Sequence, residues 1–172
     1  MLTTLVAVAS AVAGSGQEAP TAIAVEATFL SKFAPFVEWP ASAFRSSRSP
    51  LRICVVGDDE LGMLARRAAA GQHLGDRDVI VDLLPVVHAD EDCQILFAGG
   101  RRRAAIRDAL GAVGGRPVLT VTDLAGEGSE QAMVRFVLRE GRVRFVIDEG
   151  RTEASGMKIS PEVLQLALQV VR

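Results

Sequence analysis

The chain has 172 residues, of which 49% are apolar and 23% charged. That balance suits one folded domain and not a disordered segment. The formal net charge of −2 and pI near 5.7 leave no broad basic field, which argues against nucleic acid as a partner.

The opening residues, MLTTLVAVASAVAGSGQEAP, give an apolar run from Leu2 to Ala13 that ends in the small-x-small triplet Ala11-Val12-Ala13. This pattern is that of a secretory signal, although no Lys or Arg follows Met1. The run is shorter than the ~20 apolar residues a membrane span requires. Residues 1–13 are therefore expected to be cleaved, residues 14–23 to be a flexible segment, and residues 24–172 to form the working domain. Export would leave that domain soluble and outside the reducing cytoplasm.

Next, TAIAVEATFLSKFAPFVEW spaces Val25, Phe29, Phe33, Phe36 and Val37 at intervals of three and four, one face of a helix. Pro35 lacks an amide donor, so the last turn is expected to kink or to leave the α conformation. Pro40 restricts Trp39, so the helix should end near Glu38. Trp39 is the only tryptophan, and there is no tyrosine.

LRICVVGDDELG reads as a buried strand entering a turn and a helix, Glu60 to Ala70, that stops near Gly71. RDVIVDLLPVV gives a second strand and CQILFAGG a third. A helix from Arg102 to Val113 follows, and RPVLTVTDLAG is a fourth strand. Alternation of this kind implies a parallel sheet covered on both faces. AMVRFVLREGRVRFVID then alternates on either side of Glu140-Gly141, a hairpin with Arg135, Arg142 and Arg144 on the wetter positions. A last helix should start at Ser160-Pro161 and run through EVLQLALQVV.

In a doubly wound sheet the first and third strands commonly lie side by side. Cys54 and Cys93 could then approach to the roughly 4.4–6.8 Å between Cα atoms that a disulfide needs. A disulfide is expected, with two buried free thiols as the alternative. A thiol nucleophile is disfavoured because neither cysteine has a nearby His or a CxxC partner.

Catalytic patterns are poorly represented. Asp58 and Asp59 occupy the turn where a phosphate-binding loop needs glycines and a lysine. With Asp123 they could suggest the acidic pocket of a receiver domain, but the third strand has no aspartate and no lysine follows the last strand. Turn and cap duty is the simpler role. There is no G-x-S-x-G elbow, and His73 and His88 are the only histidines. HADEDC, residues 88–93, fits a solvated acidic loop better than a metal site. Arg101, Arg102 and Arg103 at a helix start make a basic patch that could meet an acidic ligand or surface.

Taken in order, ATFLSKFAPFVEWP, PLRICVVGDDELG, CQILFAGG, PVLTVTD and RVRFVIDEGRTEASGMKIS resemble the YfiR family over about residues 24–170. The resemblance implies a periplasmic α/β protein that acts by binding: it represses an inner-membrane diguanylate cyclase by docking on its periplasmic portion. It further implies sequestration by an outer-membrane lipoprotein partner, a homodimer, and a link from envelope or redox stress to cyclic di-GMP. Pro35, Asp148 in place of the usual asparagine, and the lack of a second cysteine pair depart from the family pattern.

The expected fold is α/β: a single domain with a mostly parallel five- or six-stranded sheet flanked by helices, closed by a C-terminal hairpin and helix. Neither a catalytic set nor a cofactor is expected. Phe36 and Trp39 are the partner-binding candidates, with Glu38 as a polar contact, because desolvated aromatics usually carry interface energy. The alternative is a small-molecule-binding module with its site at the carboxyl ends of the strands, near Asp58 and Asp123.

Overall fold

A computed structural model describes residues 20–172; the expected secretory run and most of the segment after it lie outside them. Helix α1, Ala22–Lys32, begins where the Thr21 hydroxyl accepts the Ala24 amide at 3.3 Å. It ends six residues before the expected stop at Glu38. Phe33 still donates to Phe29, but Pro35 has no amide to offer, and a 3-10 turn over Ala34–Phe36 takes over, with Phe36 N–H donating to Phe33 at 2.9 Å. The chain is extended in β1, Val37–Glu38.

The strands and helices that follow are β2 (Leu51–Val56), α2 (Asp59–Ala69), β3 (His73–Leu74), β4 (Arg77–Leu84), β5 (Ile95–Ala98), α3 (Arg103–Ala112) and β6 (Leu119–Thr122). The last part contains β7 (Val134–Arg139), β8 (Arg142–Asp148), α4 (Glu149–Ala154), β9 (Lys158–Ile159), α5 (Pro161–Leu166) and β10 (Gln169–Val171). One sheet of eight strands runs in the order β10-β8-β7-β6-β5-β2-β4-β3, and β1 pairs with β9 in a separate ribbon. All pairs in the large sheet are parallel except β3 with β4 and β7 with β8. The order reverses between β2 and β5, the point at which an open α/β sheet leaves a crevice at the carboxyl ends of its strands.

Side chains alternate along each strand and so feed two cores. Ile53 and Val55 of β2 join Leu30, Phe33, Leu61, Phe97 and Phe136 on the face covered by α1 and α2. Cys54 and Val56 join Leu96, Ile106 and Leu110 on the face covered by α3. Two buried polar side chains tie loops to this frame. Gln94 accepts the Arg52 amide at 2.8 Å and donates to the Ala43 carbonyl at 2.6 Å, while Thr122 donates to Ala98 at 2.7 Å.

The sheet is wider than the five or six strands read from the sequence because short strands β3 and β10 add one at each edge. β10 also corrects the expected C-terminal helix. α5 stops at Leu166, Ala167 leaves the α region, and Leu168 N–H donates to Phe145 at 2.8 Å before Gln169–Val171 pairs in parallel with β8. The open edge of β8 offers hydrogen bonds, and Val170-Val171 suits a strand, so tertiary pairing overrides local helical periodicity. At the hairpin tip Glu140 and Gly141 both take positive φ, 51° and 71°, as the two-residue turn between twisted strands requires. Arg142 and Arg144 are exposed and Arg135 half-buried.

Candidate functional site

The segment from Phe36 to Trp39 leaves the core one residue at a time. Phe36 is 37% exposed, Val37 is buried, Glu38 is exposed and Trp39 half-buried. The backbone is held by the antiparallel register Val37↔Ile159 and Glu38↔Lys158, and the Ser160 amide donates to the Phe36 carbonyl at 2.8 Å. An exposed aromatic is thus mounted on a fixed backbone.

Phe29 and Phe33 belong to the core. Their rings lie 5.5 and 5.6 Å from Phe145, edge-on, and 6.2 Å each from Phe136. Trp39 is intermediate: its ring meets Phe44 edge-on at 6.4 Å, and the Arg77 guanidinium sits 3.9 Å above the other partner, the Phe44 ring. The Trp39 Nε1–H is buried without an acceptor in the protein.

Beside this segment β9 and α4 frame a groove of about 460 Å³, with Glu38, Glu149, Glu153, Lys158, Ser160 and Glu162 along it. Four carboxylates against one ammonium make its rim acidic. The Glu162 carboxyl is held below its usual range chiefly by its own backbone N–H. β9 and Ser160 were not singled out by the sequence for this role, because a two-residue strand has too few positions to show a period.

The strand ends carry a second feature. A cleft of about 540 Å³ opens between the starts of α2 and α3, lined by Gly57, Asp58, Asp59, Gly100, Arg101 and Arg102 among others. Asp58 lines it and caps α2 by accepting the Leu61 amide at 2.9 Å. Asp123 does not line it. It packs against Gly99, with Oδ1 buried and without a donor, and burial chiefly raises its pKa. Glu26 of α1, absent from the sequence-based candidates, joins these two: burial first, then the charges of Asp123 and Asp58, push its carboxyl up to about 7. A lone acid inside the apolar run AIAVEATFL was the available clue. Among the described residues no group of three or more His, Cys, Asp or Glu is placed to hold a metal ion.

Cys54 and Cys93 are joined as a disulfide, with Cα atoms 5.9 Å apart and both residues buried. The bond ties β2 to the approach to β5 on the α3 face of the sheet.

These features define a single-domain, doubly wound α/β protein with an aromatic turn stitched to its C-terminal segment. The YfiR/HmsC-like family profile matches residues 23–168, and the chain belongs to that family. A crystal structure described as a conserved domain protein from Vibrio cholerae O1 biovar El Tor str. N16961 is similar, with a TM-score of 0.55. Identity is 13%, and the match covers 87% of this chain and 60% of that one, so the likeness is one of fold. No curated protein matches the chain. No helix among the described residues is long and apolar enough to cross a membrane.

Proposed function

We propose that this protein is a periplasmic repressor that binds the periplasmic portion of an inner-membrane diguanylate cyclase. Membership of the YfiR/HmsC-like family over residues 23–168 carries this reading. The turn at Phe36 is its docking edge, with Glu38 as a polar contact and Trp39 as the half-buried support. An exposed phenylalanine on a backbone pinned by Ser160 has the properties of an interface anchor. A homodimer, and an outer-membrane lipoprotein that sequesters the repressor, complete the scheme; the Cys54–Cys93 disulfide fits an oxidising compartment.

The test is co-purification of a membrane diguanylate cyclase with the exported protein, together with cyclic di-GMP levels after deletion. Association and a rise in cyclic di-GMP are expected. Absence of any cyclase from the purified complex, with cyclic di-GMP unchanged, contradicts the reading.

One observation favours a second reading, a small-molecule-binding module: the cleft of about 540 Å³ at the carboxyl ends of β2 and β5, where Asp58 caps α2. A small-molecule thermal-shift screen separates the two, since only the module predicts a ligand that raises the melting temperature and loses its effect in Asp58→Asn.

A further inference from the structure

We propose that the projecting end of the β7–β8 hairpin is a contact site for an anionic lipid surface, with Arg139, Arg142 and Arg144 meeting its phosphate groups and Leu138 and Leu168 entering its interface. The proposal concerns this end of the sheet and does not rest on the partner reading above.

Strand register makes the hairpin end a free tongue. β7 pairs with β6 only through Val134 and Arg135, and on the other side β10 meets β8 only from Val146 onward. Residues 137–144 therefore run past both neighbouring strands, paired with each other around the turn at Glu140-Gly141. A two-stranded ribbon without neighbours is weakly stable by itself, so unfavourable contacts on it are costly.

The tongue carries such a contact. Arg139 stands directly opposite Arg142, and Arg144 lies two residues along the same face. Like charges in opposed positions destabilise a strand pair. All three arginines are exposed, and none forms an ion pair among the described residues. Arg135, on the same face, is half-buried and donates to the Ser129 hydroxyl at 3.3 Å. The three free arginines line a groove of about 740 Å³ in which Glu140 is the one acid. An anion shared between them would turn the repulsion into attraction, and guanidinium groups bind phosphate oxygens in pairs.

Apolar surface lies beside the charge. Leu138 is 65% exposed and Leu168 48%, both along the same groove, and Leu166, two residues before Leu168, is 67% exposed. Half of the six large apolar side chains that stand exposed among the described residues thus gather at this end.

That combination selects the occupant. A small free anion would satisfy the arginines and leave the leucines in water. A second copy docked two-fold on this face would set arginines against arginines. A stable protein interface takes about 20–30 residues a side, more than the tongue presents. A lipid surface needs neither that area nor a matching shape: each arginine near an anionic leaflet strengthens attachment about fivefold, and three together roughly a hundredfold. Exposed leucines add to it by burial at the boundary between headgroups and chains.

The experiment sediments the exported protein with vesicles of phosphatidylcholine, alone or with one-third phosphatidylglycerol. Wild type should bind the anionic vesicles and not the neutral ones, and rising salt should release it. Arg139→Gln/Arg142→Gln/Arg144→Gln should bind at least tenfold more weakly. Leu138→Ser/Leu168→Ser, which keeps every charge, should bind at least several-fold more weakly, and both variants should melt within a few degrees of wild type. All three proteins share one N-terminus, so a difference between them reads the tongue. Hydrogen exchange on wild type needs no variant: amides of residues 137–144 should slow on anionic vesicles while those of β5 do not. Wild type that stays in the supernatant, binds both vesicles equally, or shows no slowing in the tongue overturns the proposal. So does an arginine variant that binds like wild type. Binding insensitive to the leucine changes and displaced by millimolar inorganic phosphate would make the groove a free-phosphate site, and slowing of the same amides by protein concentration alone would assign the tongue to a second copy; either result overturns the lipid contact.

Discussion

The Ser160 amide donates to the Phe36 carbonyl at 2.8 Å, joining the end of the aromatic turn to a residue more than 120 positions later. Through that bond and the β1–β9 pairing, the proposed docking edge is built by both ends of the domain. Damage to the C-terminal segment should therefore reach the edge even though it leaves Phe36 in place. Ser160→Pro removes the donor, and proton–nitrogen correlation spectra should show shifts concentrated at residues 36–39 and 158–162 while β5 and β6 are unmoved. Shifts spread evenly over the sheet would show that the bond serves the whole fold.

Trp39 has a different status from Phe36. Its ring packs on Phe44 and the core, so Trp39→Ala should cost about 2–4 kcal/mol by loss of packing. Trp39→Phe keeps much of that surface and deletes a buried donor that has no acceptor, and it should stay within about 1 kcal/mol of wild type in urea unfolding. A Trp39→Phe variant as unstable as Trp39→Ala would mean that the indole N–H makes a needed bond.

The disulfide closes a separation of 39 residues between two buried cysteines. Replacing both by alanine should lower stability by about 2–4 kcal/mol, measured by denaturant unfolding without reductant. Wild type treated with a strong reductant should move toward the same midpoint. A non-reducing mass of the exported protein that is not two hydrogens lighter than the dithiol form would remove this prediction's basis.

Gly57 tests the crevice. Its φ is +83°, and a Cβ there would collide with the Gly99 carbonyl oxygen, while one on Gly100 would strike the Gly57 carbonyl oxygen. β2 and β5 can end side by side because both turns are made of glycine. Gly57→Ala should destabilise by at least about 1–3 kcal/mol. Gly71→Ala, also at positive φ but with open space around it, isolates the backbone contribution and should cost less.

The alternating segments between Leu51 and Thr122, the two-residue β3 aside, were legible because each strand is a short apolar run bounded by Gly, Pro or Asp, and each helix has a full-length amphipathic face. The pairing of β2 with β5, and hence the proximity of Cys54 to Cys93, followed from the same alternation. The chain's last residues were misread, because LQLALQVV suits a helix locally and only the open edge of β8 makes it a strand. Helix α4 was missed too: Glu149–Ala154 is short, and Asp148 caps it by accepting the Arg151 amide at 2.8 Å. At the site, the prolines marked where the helix fails, but β9 could not be seen, since it depends on pairing between distant segments. Phe36 and Trp39 looked alike in sequence, and burial alone separates them.

Phe36→Ala is the most direct test of the docking edge, since the side chain is 37% exposed and its removal leaves the Ser160 bond to its backbone intact. Exported wild type and variant would be compared for capture of the membrane diguanylate cyclase and for cellular cyclic di-GMP, with melting temperature as the control. The account predicts an unchanged melting temperature within a few degrees, at least tenfold weaker capture, and cyclic di-GMP raised toward the level of the deletion strain. Full capture and full repression by a well-folded Phe36→Ala protein would contradict it.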